Sequence, residues 1–411
     1  MPSKNFSAFL QGQIDELVQT GTAKGAELVV VKVKKAKDNR GPRFRLDGYE
    51  DKNFIRMNSN SYLGLQFQKR MLKAEEEGAE KYGVGPGAVR FISGTYRPHI
   101  KLEKKLAEFH GRDHCMLNSS AYTTVLGVIS TLVTPETIIV SDELNHNCII
   151  NAMKLARPKG KKIYKHNKLD ELENQLKECI GQCEHVIVVT DGVFSMRGDY
   201  APLDKICELT KKYNEHFPKD IVLVVDDSHG VGAYGETGRG TEEITKAKGV
   251  DILVATLGKA FGVNGGYVVA NGAIVPYLRE KNPFYIYTNP ITPSETTTAL
   301  EALDILNSDD GRELLKHLSA MTKKFEQGLL DLGYETIPSP HPVVPLLVRD
   351  TEKTTRLVKF LRENGVLATG LNYPVVPKGD ETIRFQVCAD HTSYDIDCVL
   401  EVLKQFKESE G

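Results

Sequence analysis

Several things are missing from this sequence of 411 residues, and each absence removes a class of function. No apolar run comes near the roughly 18 residues that a membrane-spanning helix needs. The N-terminus has no apolar core of the kind a secretion signal carries. Neither sign of charge is in excess: 53 Lys and Arg stand against 55 Asp and Glu, for a formal net charge of -2. No basic stripe is present that would attract nucleic acid. Internal repeats and low-complexity segments are absent as well. The seven cysteines are scattered and odd in number. Cys179 and Cys183 stand four apart in a stretch that reads as helix, which is neither a zinc nor a redox spacing. These absences lead us to expect reduced thiols and a cytoplasmic protein, with no metal, membrane or nucleic-acid partner. What is present, 40% hydrophobic and 26% charged residues, describes a globular chain long enough for two domains.

Phe6, Phe9, Leu10, Ile14, Leu17 and Val18 fall on one helical face, so residues 5–20 read as an amphipathic helix ended by Gly21. A strand over 27–33 and a polar turn over 37–41 follow, and the opening 1–53 reads as an arm. From 54 to 294 short apolar strands (115–118, 137–141, 162–165, 185–190, 221–226, 252–256, 267–270) alternate with helical stretches. That alternation predicts an α/β fold with a mostly parallel sheet and helices on both faces. Ligands of such sheets sit outside the C-terminal strand ends. A helical region from Pro293 to Gly333, a strand from Val343, a helix from Thr351, a strand near Ile383 and a last helix capped by Thr392 or Ser393 predict a smaller α+β domain over 295–411.

The chemistry is concentrated after the apolar strands. Lys259 sits in a small-residue turn, ATLGKAFG, directly after 252–256. An amine held there can lose its proton and form a Schiff base with an electrophile. Upstream, the strand 221–226 ends in Asp226, with His229 three residues on. A strand-end carboxylate and a nearby lysine are the pair that pyridoxal phosphate (PLP) requires, the acid partnering the pyridinium nitrogen. Asp226 or its neighbour Asp227 could equally cap a helix, and Asp226 with His229 could hold a metal, although no third ligand is evident. Ser119 to Thr123 lies between a strand and a helix, where backbone N–H groups, including those of Ala121 and Tyr122, form an anion site. Arg384, inside an apolar strand, could grip a carboxylate bidentately or serve a structural salt bridge. Gly83 to Gly87 (GVGPG) lacks the preceding strand of a dinucleotide loop, and Pro86 spoils a helix start.

The runs Asn60 to Leu65 (NSYLGL), Arg90 to Thr95 (RFISGT), Asp191 to Met196 (DGVFSM), Val225 to His229 (VDDSH), Thr256 to Lys259 (TLGK), Tyr373 to Gly379 (YPVVPKG) and Ile383-Arg384 occur in one order across the chain. Together they resemble the α-oxoamine synthases among fold-type-I PLP enzymes, most of all the glycine C-acetyltransferase members. The resemblance implies a homodimer with composite active sites, crossed by the N-terminal arm. It makes Lys259 the PLP-bound lysine and proton shuttle, and Asp226 the ring-nitrogen partner. His229 falls near the phenolic oxygen, His146 stacks on the ring, and Ser195 lies near cofactor and substrate. Thr256 reaches the phosphate, Thr288 does so across the dimer interface, and Arg384 with Asn60 binds the amino acid carboxylate. Two positions depart from the family pattern. Val125 stands where a polar residue is common, and Phe261 to Gly266 (FGVNGG) has the shorter loop of the biotin-pathway members.

The implied reaction is a Claisen-type condensation of a small amino acid with an acyl-CoA, releasing CoA. The expectation favours glycine with acetyl-CoA. Its alternative is alanine with pimeloyl-CoA, and a PLP aminotransferase or a non-catalytic partner subunit are more distant readings.

Overall fold

Runs of Val, Ile and Leu separated by amphipathic stretches bury both faces of a sheet under helices. The computed structural model describes residues 3–20, 22–49, 51–373 and 376–410. Seven strands lie in the order His114–Asn118, Gly266–Ala270, Ile252–Thr256, Ile221–Asp226, His185–Asp191, Thr137–Asp142 and Gly160–Tyr164. Each falls within two residues of the position read from the sequence. Gly266–Ala270 is antiparallel to both its neighbours, and the other six strands run one way. Its direction follows from its connection: residues 257–265 are too few for the crossover of about a dozen that a parallel pair requires.

Alternate residues of each strand serve opposite faces. Ile187 and Val189 pack with Val125, Ile129 and Ile149 from the helices Ala121–Leu132 and Asn147–Ala156. Val186 and Val188 join Leu102, Leu106, Leu172 and Leu203 on the other side. Val125, the departure from the family pattern, is thus a core residue, and its apolar side chain answers to packing. Polar side chains have no place inside such strands. They collect at the C-terminal ends, where Asp191, Asp226 and Thr256 stand.

The C-terminal part holds a four-stranded antiparallel sheet ordered Glu335–Thr336, Val343–Leu347, Thr382–Gln386 and Thr369–Leu371. The helical region opened by Pro293 is two helices, Pro293–Leu306 and Asp309–Asp331. A Cβ on Gly311 would lie 2.4 Å from the carbonyl oxygen of Ile305, so the second helix can restart here only without a side chain. Thr392 caps the last helix, Ser393–Glu410. Its Oγ1 accepts from the Asp395 N–H at 3.3 Å while Asp395 Oδ2 accepts from the Thr392 N–H at 2.8 Å. The short strand Ile55–Arg56 pairs in parallel with Val366–Leu367, so the segment carrying Asn60 and Tyr62 is anchored to the C-terminal part.

The first helix, Lys4–Gln19, has no buried residue, and Phe6, Phe9 and Val18 are about 60% exposed (61, 59 and 63%). Gly21, expected to close it, lies outside the described residues. The strand expected over 27–33 begins at Val30 and pairs with Arg43–Leu46. Among the described residues no helix is long and apolar enough to cross a membrane. All seven cysteines are unpaired.

Candidate active site

The turn after Ile252–Thr256 is closed by its own hydrogen bonds. Thr256 Oγ1 accepts from the Gly258 N–H at 3.0 Å and donates to the Gly265 carbonyl at 3.1 Å. The Val263 N–H returns to the Leu257 carbonyl at 3.1 Å, and Gly262 adopts φ 72°, which a side chain would strain. Leu257, Ala260 and Phe261 are buried around the turn and leave Lys259 as its one ionisable group. Burial lowers the Lys259 amine to about 8, against the opposing pull of Asp226 and Asp191. An amine so placed is available for chemistry near neutral pH.

A cavity of about 1150 Å³ opens at these strand ends. Asn60, His146, Ser195, His229, Lys259 and Arg384, all singled out from the sequence, line it together. Ala121, Tyr122, Asp226, Thr256 and Thr288 do not line it. Ala121 and Tyr122 open the helix Ala121–Leu132, where Ser120 Oγ accepts from the Thr123 N–H at 3.2 Å. The helix start lies hard against Gly266, whose Cβ would fall 2.2 Å from the Ala121 nitrogen. The Thr256 hydroxyl is committed to the lysine turn. Thr288 follows the short helix Pro283–Ile286, half-buried and without a side-chain hydrogen bond among the described residues.

The two adjacent aspartates differ sharply. Asp227 is fully buried, with Oδ1 bonded to Thr241 Oγ1 at 2.6 Å and Oδ2 to the Thr241 N–H at 2.7 Å. Three glycines wall it in, since a Cβ at Gly192, Gly230 or Gly240 would meet its oxygens within 2.3 Å. Asp226 accepts from Ser228 through Oδ1, but among the described residues Oδ2 has only the Cys148 thiol, at 3.6 Å. Asp226 is therefore the carboxylate with an oxygen to spare. Asp191, its partner across the sheet, lines the cavity, and Oδ2 accepts from the His146 N–H at 2.9 Å. Burial and the neighbouring Asp226 raise the Asp191 carboxyl well above the usual range. His146 caps the helix Asn147–Ala156, accepting from the Cys148 N–H at 3.2 Å, and burial keeps its ring neutral.

The partners of Arg384 are neutral oxygens. Nη1 donates to the Ser195 carbonyl and Nη2 to Asn60 Oδ1, each at 3.1 Å, and no carboxylate among the described residues pairs with it. Burial lowers the guanidinium from its ordinary value. A desolvated cation without an anion is costly unless a ligand supplies one. For metals, the described residues offer one cluster of three potential ligands, Cys388, Asp390 and His391, apart from Asp226 and His229. There His391 Nδ1 already accepts from the Cys388 N–H at 3.0 Å.

One contributor was not read from the sequence. His166 bridges Asp142 Oδ1 at 3.2 Å and Asp199 Oδ2 at 3.1 Å, with its ring edge-on to Phe194 at 4.3 Å. Burial pulls the imidazole down, but the two carboxylates outweigh it and raise the ring to about 9. His166 thereby ties the loop leading to His146 to the loop carrying Ser195. Its pKa in the folded protein lies above the ordinary 6.5, so its stabilisation is complete below that pH and is lost as pH rises through about 9. His166→Gln should cost about 2–3 kcal/mol near pH 6. Thermal midpoints of both proteins measured across this range should converge as pH rises, and a constant gap would contradict the bridge.

The whole-chain comparisons agree with this geometry. The model of the family aminotransferase class I and II matches residues 52–403. An 8-amino-7-oxononanoate synthase of Thermosipho melanesiensis is 36% identical over 99% of this chain and 99% of its own. One from Petrotoga mobilis is 39% identical over 88% of this chain and 90% of its own. Serine palmitoyltransferase from S. paucimobilis, solved with bound PLP–myriocin, is 25% identical and superposes with a TM-score of 0.87 over 99% of this chain and 98% of that one. The chain belongs to the α-oxoamine synthases of fold type I. Like the family's other fold-type-I members, this α-oxoamine synthase uses pyridoxal 5'-phosphate. The residues fit that group. A half-buried amine of lowered pKa stands near a strand-end carboxylate with a spare oxygen, and the Ala121–Leu132 helix start is packed against glycine.

Proposed function

We propose that this α-oxoamine synthase joins alanine to a pimeloyl thioester, pimeloyl-CoA being the simplest such donor. The observation that carries the amino acid half is Arg384, a half-buried guanidinium at the Lys259 cavity with no acid partner among the described residues. The acyl half draws on the relatives. The name 8-amino-7-oxononanoate describes a nine-carbon acid. A seven-carbon diacid chain supplies seven of those carbons and alanine two, once its carboxylate is lost. The expectation of glycine with acetyl-CoA gives way here, since the reported relatives carry the longer-chain name. Apolar walls of the cavity, Phe194, Met196, Ile337, Pro338 and Leu347, suit a methylene chain, which an acetyl group would leave uncovered.

Bound PLP supplies an aldehyde that captures amines and, with its ring nitrogen protonated, an electron sink for charge on the substrate's α-carbon. Asp226 is placed to hold that ring proton. Arg384 and Asn60 orient the amino acid carboxylate, leaving the α-hydrogen for Lys259 Nζ to take and return. The α-carbon then forms a bond to the thioester carbonyl, the C–S bond breaks and the thiol leaves. Loss of CO2 completes the product. His146, neutral and at the exposed side of the cavity, offers a flat face for the cofactor ring.

The test is CoA release measured with alanine or glycine against pimeloyl-CoA or acetyl-CoA. Alanine with pimeloyl-CoA should be fastest. Discrimination between the two amino acids should be modest, because one methyl group is worth only about 1–3 kcal/mol in a pocket. Faster release with acetyl-CoA would overturn the donor assignment.

The working unit we propose is a homodimer. The exposed apolar face of Lys4–Gln19 and the unengaged Thr288 are its supports. Mixing the inactive variants Lys259→Ala and Thr288→Asp should restore part of the activity through hybrid dimers. An active monomer in sedimentation would refute it.

A further inference from the structure

The two ring nitrogens of His229 stand in different surroundings. Nδ1 lies 2.6 Å from the hydroxyl of Tyr62, a residue with no exposed surface. Among the described residues that hydroxyl has no other hydrogen-bond partner. Only two arrangements close the contact. If Nδ1–H donated to the phenol oxygen, the phenolic proton would be buried with no acceptor. If Tyr62 donates to Nδ1, both groups are satisfied. Burial pushes the Tyr62 phenol up, so it keeps the proton it must give. Burial, together with Lys259, Arg384, His341 and His146, pushes the His229 imidazole well down, so the ring carries a single proton. With Nδ1 accepting, that proton is on Nε2.

A second histidine holds the arrangement from behind. His341 Nδ1 accepts from the Val343 N–H at 3.1 Å, which leaves its proton on Nε2. From there it donates to the His229 carbonyl at 2.8 Å. The His341 ring also packs edge-on against the Tyr62 ring, 5.4 Å between centroids and 77° between planes. The backbone and ring of His229 are both fixed, while Nε2 has no protein partner among the described residues. The residue lines the Lys259 cavity.

We propose that Tyr62 is a positioning residue that fixes His229 as its Nε2–H tautomer, so that His229 gives the cavity a hydrogen-bond donor and takes no proton there. The acceptor it suits is an oxygen bearing negative charge, on the cofactor ring or on the thioester carbonyl as the new bond forms. This deepens the proposed function and rests on it only for the identity of that oxygen. Proton transfer is left to Lys259 alone.

Nitrogen-15 spectra of histidine-labelled holoenzyme read the tautomer directly, with the His229 signal assigned by its loss in His229→Asn. The expected result is an unprotonated Nδ1 and a protonated Nε2 in the wild type. In Tyr62→Phe, which keeps the ring and removes only the hydroxyl, the tautomers should mix and the cofactor absorbance maximum should shift. The variant's kcat should fall about tenfold, with the KM for the amino acid nearly unchanged. A wild-type His229 protonated on Nδ1, or a tautomer unmoved by Tyr62→Phe, would overturn the inference. Should alanine and pimeloyl-CoA fail to react, the substrate assignment falls, and the spectra still decide the role of Tyr62.

Discussion

Replacing Lys259 by alanine is expected to cut condensation by at least about a thousandfold, the range that a positioned acid–base group supplies. The fold should be untouched. The side chain lies in a turn that Thr256, Leu257 and Gly265 close without it, and its charged form is disfavoured by burial. Removing it relieves a desolvated amine and leaves no hydrogen-bond partner orphaned. Circular dichroism and the thermal midpoint should therefore match the wild type while CoA release disappears. Residual turnover above a tenth of the wild-type rate would mean that another group moves the α-proton.

The second large effect is expected at Arg384. Arg384→Ala should lower kcat/KM for the amino acid by roughly 30-fold to 5,000-fold, the equivalent of about 2–5 kcal/mol for one member of a desolvated charge pair. The KM for the acyl-CoA should barely move. Stability separates this reading from a structural one. A half-buried guanidinium beside a carbonyl and an amide oxygen, with no carboxylate among the described residues, is desolvated without a compensating anion. Its removal should leave the unliganded protein as stable as before, within about 1 kcal/mol. A structural ion pair would instead lose several degrees of thermal midpoint. If Arg384→Ala weakens acyl-CoA use alone, the arginine serves the donor and the amino acid carboxylate binds elsewhere.

The contrast between Arg384 and His166 shows which parts of the site a sequence can display. Lys259 and Asp226 are legible because each follows an uninterrupted apolar strand, and an ionisable residue at a buried strand end is a local anomaly. Arg384 is legible for the same reason. His166 carries no such mark. It draws its meaning from Asp142 and Asp199, 24 and 33 residues away, which meet only once three loops are folded together. Tyr62 and His229, 167 residues apart, are joined in the same way.

The fold divides along similar lines. The seven central strands could be read because buried strands are dense in Val and Ile. The pairing of Val30–Lys34 with Arg43–Leu46 could not, since the second strand alternates arginine with Phe44 and Leu46 over four residues. The reversed direction of Gly266–Ala270 was available in principle from its short connection to Thr256. Composition alone says nothing about direction. The choice of Asp226 over Asp227 rests on the family resemblance, and the structure adds a physical reason that the sequence does not display: Thr241 occupies both oxygens of Asp227.

The central claim is that Lys259 is the residue at which PLP and the amino acid meet. Reducing the holoenzyme with borohydride and mapping the modified peptide tests it most directly. The expected result is one PLP-labelled peptide carrying the modification on Lys259, and none in Lys259→Ala. A label on a different lysine, or no cofactor fixed to the chain, would contradict the account.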